Sequence, residues 1–274
     1  METESIKKDK SVLFYIGLFV FSGLLSFTAS YLYEKTFEEI LRNVLVNLMT
    51  TGTVIFMLND IDPEDTFLYG NIHRKIIFVL IFMGEMTMAA VMPSINFDAW
   101  PYMVLFVILA LFSNPFIGIF SGASLVMFSE LLSVDTSYYE FFIYFVAGSI
   151  AIALFRDLTE ETKIGLPLFI SMLMQLILLL AFHVLFLNSS LTPSIVIVPV
   201  VNVFINMILL TILLNFVGVF FIRKSNDMYM DINDTEFKLL VDIKDKNKDE
   251  YFRAIHTAYL AERAAMDIGI NARV

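Results

Sequence analysis

The chain has 274 residues, of which 58% are hydrophobic and 17% charged, and its mean hydropathy is +0.77. A soluble domain is about 45–50% apolar and about 25% charged, so this composition excludes a soluble enzyme, a disulfide-stapled secreted scaffold and a nucleic-acid binder. The net charge of −10 argues against holding a nucleic acid polymer or an anionic surface by bulk charge, and a chain without cysteine has no disulfide and no thiolate metal site.

Lys7, Lys8 and Lys10 precede an apolar run from Ser11 to Tyr33. The apolar core of a signal peptide is about 7–15 residues; this run is longer and reads as a retained anchor. Ile40–Leu58 is a weaker span because it contains Arg42, Asn43 and Asn47, whereas Ile76–Ile95 is a clear one. Pro101–Val134 is too long for one span of about 20 residues and too short for two full ones. Ser113-Asn114-Pro115 breaks it, since proline disfavours helical geometry in the residue before it. Two short helices, Pro101–Phe112 and Pro115–Ser133, are predicted there. Tyr138–Phe155, Leu166–Leu187 and Ser194–Ile222 complete the set.

The fold class predicted is all-α, a polytopic transmembrane bundle of about eight spans with two of them short, over residues 1–225, followed by a short helical segment over 226–274. Basic residues give the orientation. With the N-terminus inside, Lys7, Lys8, Lys10, Arg74, Lys75, Arg156, Lys163, Arg223 and Lys224 are inside, and only Lys35 and Arg42 are outside. That asymmetry in short loops is the positive-inside pattern of a multi-pass protein of the cell membrane with both termini cytoplasmic. The outer connections are short: Glu34–Glu39, Asn96–Trp100, Val134–Ser137 and Asn188–Pro193.

Inside the spans, Glu85, Glu130, Gln175, His183, Asn202, Asn206 and Asn215 are the polar exceptions. An aspartate, lysine or arginine at mid-membrane costs about 2.5–3.5 kcal/mol on insertion scales, so buried ionisable groups are functional candidates. Glu85 is central in its span, and either helix adhesion or a ligand or ion pocket accounts for it. Asn202 and Asn206, four apart, share a face, as interhelical hydrogen-bonding pairs do.

Beyond Ile222 the composition changes. From Asn226 to Val274 there are ten Asp/Glu and seven Lys/Arg. Asp231-Ile232-Asn233-Asp234 offers caps for a helix from Thr235 to Asp245. Lys244–Asp249 is a charged turn, and a second helix runs from Glu250 to Ile268 with Phe252, Ile255, Tyr259 and Leu260 on one face and Gly269 as its cap. Such a fragment cannot bury its own apolar face, so a further portion or a partner is expected to cover it. His256 sits on or beside that face. It is either a satisfied interface histidine or a metal ligand, and the second role needs three or more convergent ligands; Asp249, Glu250, Glu262 and Asp267 are the nearby acids.

Glu236-Phe237-Lys238-Leu239-Leu240, Tyr251, Tyr259-Leu260-Ala261-Glu262-Arg263-Ala264-Ala265 and Ile268-Gly269-Ile270-Asn271 together resemble the opening of the HD-type phosphohydrolase domain. The form most similar is the one attached to a bundle of seven membrane spans. The resemblance implies hydrolysis of a cyclic dinucleotide, notably cyclic di-AMP, by two divalent metal ions in a histidine–aspartate cluster of the complete domain. It also implies that residues 226–274 are a juxtamembrane linker and the incomplete start of that domain. Alignment on Leu260-Ala261-Glu262 puts Phe252 and Arg253 where the family has histidines, and His256, one turn later, is the candidate replacement ligand. The dyad and the other ligands would lie beyond Val274, so the two-metal site is expected only in the complete HD domain and not from these residues by themselves. The implied partners are the lipid bilayer, the remaining HD portion, a second copy of the chain and a cyclic dinucleotide. A transporter or channel using Glu85 and the asparagines, and a degenerate non-catalytic HD signalling protein, are the alternatives.

Overall fold

The computed structural model describes residues 2–60, 74–133, 138–155, 165–188, 190, 192–217 and 238–267. Several expectations lie outside them: the loops carrying Arg156 and Lys163, the end of the last span with Arg223 and Lys224, the caps at Asp231–Asp234 and the Gly269 cap. Two compact units are present, residues 1–214 and 215–274; the expected boundary after residue 225 falls in an undescribed stretch.

All elements among the described residues are helical: α1 (Glu2–Leu32), α2 (Phe37–Asp60), α3 (Arg74–Val91), α4 (Tyr102–Leu111), α5 (Pro115–Leu132), α6 (Tyr138–Leu154), α7 (Gly165–Leu185), α8 (Pro193–Val217), α9 (Lys238–Lys246) and α10 (Lys248–Asp267). Two 3₁₀ turns, Met92–Ser94 and Phe97–Ala99, join α3 to α4. Six helices, α1, α2, α3, α5, α7 and α8, are long and apolar enough to cross a membrane. The shorter pair is α4 and α6 rather than the predicted α4 and α5. At 1.5 Å per residue α4 is about 15 Å long, half of a hydrocarbon core of about 30 Å. It needs no lipid-matched length because nine of its ten residues are buried by the surrounding helices.

Local chemistry sets the ends. Glu34 takes a left-handed φ of 54°, and the Lys35 amide donates back to Ser30 O at 3.1 Å, closing α1 as a Schellman-type stop. α2 then starts earlier than the predicted Ile40, because Thr36 and Glu39 form a capping box: the Glu39 carboxylate accepts from Thr36 N at 2.8 Å and Thr36 Oγ1 from Glu39 N at 3.4 Å. At the Ser113-Asn114-Pro115 break, Asn114 Oδ1 accepts from Ile117 N at 2.8 Å, and Pro115 occupies the first helical position, where no amide hydrogen is needed.

Packing in the bundle is inverted relative to a soluble protein. Leu13, Leu24, Phe27, Leu45, Met49, Phe169, Ile177, Phe204 and Ile208 are exposed, while Ser22, Ser26, Ser30, Asn43, Asn47 and Thr51 are buried. The asparagines that weaken the second span in the sequence are its inward face. Asn43 Nδ2 donates to Ser30 Oγ at 3.2 Å and to Leu131 O at 3.3 Å, and Asn47 Nδ2 to Ser22 O at 3.0 Å. Small residues let the buried α4 approach its neighbours. Gly118 and Gly122 of α5 and Gly148 of α6 leave no room for a side chain: a Cβ would lie 2.6 Å from Ala110 Cα at Gly118, and 2.7 and 2.3 Å from Phe106 at Gly122 and Gly148.

Candidate functional site

The ends of α1, α3 and α5 meet where α2, α4 and α6 begin. Tyr33 Oη donates to Ala90 O at 3.1 Å, Lys35 Nζ to Ser133 O at 2.5 Å and Ser129 Oγ to Ala89 O at 2.5 Å. The segment between α3 and α4 folds into this end and carries a buried aromatic and polar junction. Trp100 is 1% exposed, and its indole N–H donates to Met92 O at 2.9 Å and Ile95 O at 3.2 Å. Around it pack Phe97 edge-on at 6.5 Å, Tyr102 at 5.6 Å and Tyr144 stacked at 5.9 Å. The Tyr144 hydroxyl donates to Phe97 O, and the Tyr102 hydroxyl bonds Ser129 Oγ.

Asp98 is the charged centre. Asn96 Oδ1 accepts from its amide at 3.0 Å, which turns its carboxylate inward, where His183 Nε2 of α7 lies 2.9 and 3.0 Å from the two oxygens. Burial pushes the Asp98 carboxyl above the usual aspartate range, and the hydrogen bond and charge of His183 pull it down. α8 joins through its asparagines. Asn202 Nδ2 donates to Asp98 O at 2.6 Å and Trp100 O at 3.2 Å, while its own Oδ1 accepts from Asn206 Nδ2 at 2.6 Å. A narrow stripe of Pro199, Asn202, Asn206, Leu210 and Leu214 is the buried face of α8.

The candidates singled out by sequence therefore part company. Asn202, Asn206 and His183 converge on Asp98. Glu85 is 4% exposed on the face of α3 that also buries Phe78, Phe82 and Ala89, and neither carboxyl oxygen has a hydrogen-bond partner among the described residues. Glu130, near the end of α5, interacts with Glu140 of α6. His256 is exposed on α10, and no group of three metal-ligating side chains occurs among the described residues.

Asp98, Trp100 and Tyr144 are the members that sequence reasoning missed. Asp98 and Trp100 stood in what looked like a plain outer loop; the signal was the chain's sole tryptophan beside an acid in that loop.

The tail is capped at a single residue. Asn247 ends α9, with its amide on Ile243 O at 2.8 Å, and starts α10, with its Oδ1 accepting from Asp249 N at 3.2 Å. The predicted charged turn is thereby reduced to one residue. Tyr251 is buried under Lys244 Nζ, 5.6 Å from its ring centre, whereas Phe252, Tyr259 and Leu260 are exposed.

No family model, no curated protein and no solved structure matches the chain.

Proposed function

We propose that this chain is the membrane-embedded sensor and anchor of an HD-type phosphohydrolase acting on a cyclic dinucleotide, with eight passes and both termini in the cytoplasm. The observation that carries the sensor reading is the attachment of α8. The helix that leads by sequence into the HD-like segment is hydrogen-bonded, through Asn202, to the backbone of the Asp98–Trp100 junction. A change at that junction alters what Asn202 can hold, and a helix shift is a known way for a span to pass a signal to the domain it carries. The motifs from Glu236 to Asn271 support the phosphohydrolase identity.

The test is the whole reading frame, expressed and placed in lipid nanodiscs with Mn²⁺. Hydrolysis of cyclic di-AMP, together with a histidine–aspartate dyad encoded beyond Val274, supports the reading. Absence of both overturns it. If His256 is the replacement ligand, His256→Ala abolishes the metal-dependent activity, and unchanged activity removes that assignment.

The unpartnered Glu85 carboxyl favours a second reading, a polar transport path. Solute uptake into vesicles that is lost in Glu85→Gln would carry it, and no uptake by the wild type would dismiss it.

A further inference from the structure

Asp98 joins two helices with two different parts of itself. Its carboxyl oxygens lie 2.9 and 3.0 Å from His183 Nε2 of α7, and its backbone oxygen accepts from Asn202 Nδ2 of α8 at 2.6 Å. Trp100 O, at the end of the same turn, is the second acceptor of Asn202. A side chain as short as aspartate, buried to 5% exposure, reaches water only if its turn swings with it. That swing carries both acceptors away from α8.

The surroundings of the pair hold little other charge. From α6, Tyr144 lies within range of the Asp98 charge, and from α4, Tyr102 packs on Tyr144 and Trp100. α8 presents the uncharged Asn202, and the turn itself presents Asn96. Phe97 and Phe182 flank the imidazole. Among the described residues His183 is the one whose charge compensates Asp98. A phenol ordinarily ionises at about pH 10, so between about pH 5 and about pH 9 the protons that count are those of the histidine and the carboxyl.

With one titratable proton between them, Asp98 and His183 carry no net charge, whichever of the two holds it. Loss of that proton leaves a buried carboxylate without a counter-charge, the unfavourable outcome of breaking a buried pair. Water is close by: Ser94, Ile95 and Asn96 are exposed. Moving the turn toward them hydrates the carboxylate and withdraws Asp98 O and Trp100 O from Asn202.

We propose that Asp98 and His183 form a proton-operated latch on α8, closed while the pair holds its proton and opened when alkaline conditions remove it. The latch deepens the sensor reading and rests on it for its role, since it names the proton at the loop end of the bundle as the signal that reaches α8.

Trp100, the sole tryptophan and 1% exposed inside the latch, is the reporter. The full chain in nanodiscs is titrated from about pH 5 to about pH 9, with the emission maximum and acrylamide quenching read at each step. In the wild type the emission should move to the red and quenching should increase as pH rises. The logarithm of the open-to-closed ratio should change by about one per pH unit, as release of one proton requires. Asp98→Asn, with no carboxyl proton to lose, should lack the alkaline opening. His183→Gln should displace the midpoint by about one pH unit or more, because strongly interacting groups titrate as a pair. A flat wild-type response, an unchanged response in Asp98→Asn or an unmoved midpoint in His183→Gln overturns the latch. Should the variants fail to fold, wild type labelled with ¹⁵N-histidine decides: the His183 imidazole signal must titrate with the Trp100 midpoint, and separate midpoints refute the coupling. The hydrolase assay fails separately. A titrating Trp100 without hydrolysis removes the phosphohydrolase reading and leaves the latch, and hydrolysis with a flat Trp100 response does the reverse.

Discussion

Asn202→Leu is the sharpest probe of how α8 is held. The substitution removes two donated hydrogen bonds, to Asp98 O and Trp100 O, and one of the two acceptors of Asn206 Nδ2, whose bond to the Asn202 backbone O at 3.0 Å stays. Interhelical hydrogen bonds in membranes average about 0.6 kcal/mol, so the two that leave α8 amount to about 1 kcal/mol, the third lying within α8 itself. Buried groups left without a partner cost about 1–3 kcal/mol, and the leucine recovers some apolar contact. A net loss of about 2–4 kcal/mol follows. At about 2–4 °C per kcal/mol for a chain of this size, the apparent Tm should drop by roughly 5–15 °C. The assay is built in: the single tryptophan is Trp100, whose indole bonds Met92 O and Ile95 O inside the junction. Its emission should shift to the red in the variant and report the earlier melt. An Asn202→Leu protein that melts at or above the wild-type temperature, with unshifted emission, would refute the claim that these amides hold α8.

Gly148→Ala drives a Cβ to 2.3 Å from Phe106 and should cost about 1–3 kcal/mol by overpacking, whereas Gly17→Ala, with nothing within 4 Å, should melt like the wild type; equal melts for both would contradict the close approach of α4 and α6. Asp98, raised by burial, holds its proton more tightly in the fold than in the unfolded chain, so its contribution is favourable below the ordinary aspartate range and is lost as pH rises through its raised value. The apparent Tm of wild type minus that of Asp98→Asn should therefore grow as the buffer is taken from about pH 7 to about pH 4, and a constant or shrinking difference would count against it. Because the chain has no cysteine, Glu38→Cys and Asp60→Cys, at exposed positions near opposite ends of α2, each carry one label site. An impermeant maleimide should modify Glu38→Cys in intact cells and Asp60→Cys after permeabilisation alone; the reverse pattern would invert the proposed orientation.

Much of the architecture was legible from apolar run length, since a helix facing lipid must be apolar over a set length wherever it packs. The spans, the break at Asn114-Pro115 and the two tail helices all follow from that rule and from local capping chemistry. Helix ends were less legible: the Thr36–Glu39 box extends α2, and a single asparagine replaces the expected turn before α10. Asn43 and Asn47 counted against a span by composition, yet they are its packing face, because in lipid the inward side is the polar one. The candidate site was half legible. Asn202, Asn206 and His183 stood out as polar residues in apolar runs, but their meeting point, Asp98, lies 85 residues from His183 and looked like loop. One-dimensional pattern determines which residues cannot face lipid. Which of them meet is decided by helix register and by the way Asn96, Asp98 and Trp100 fold inward, and those are long-range bonds that no local spacing encodes.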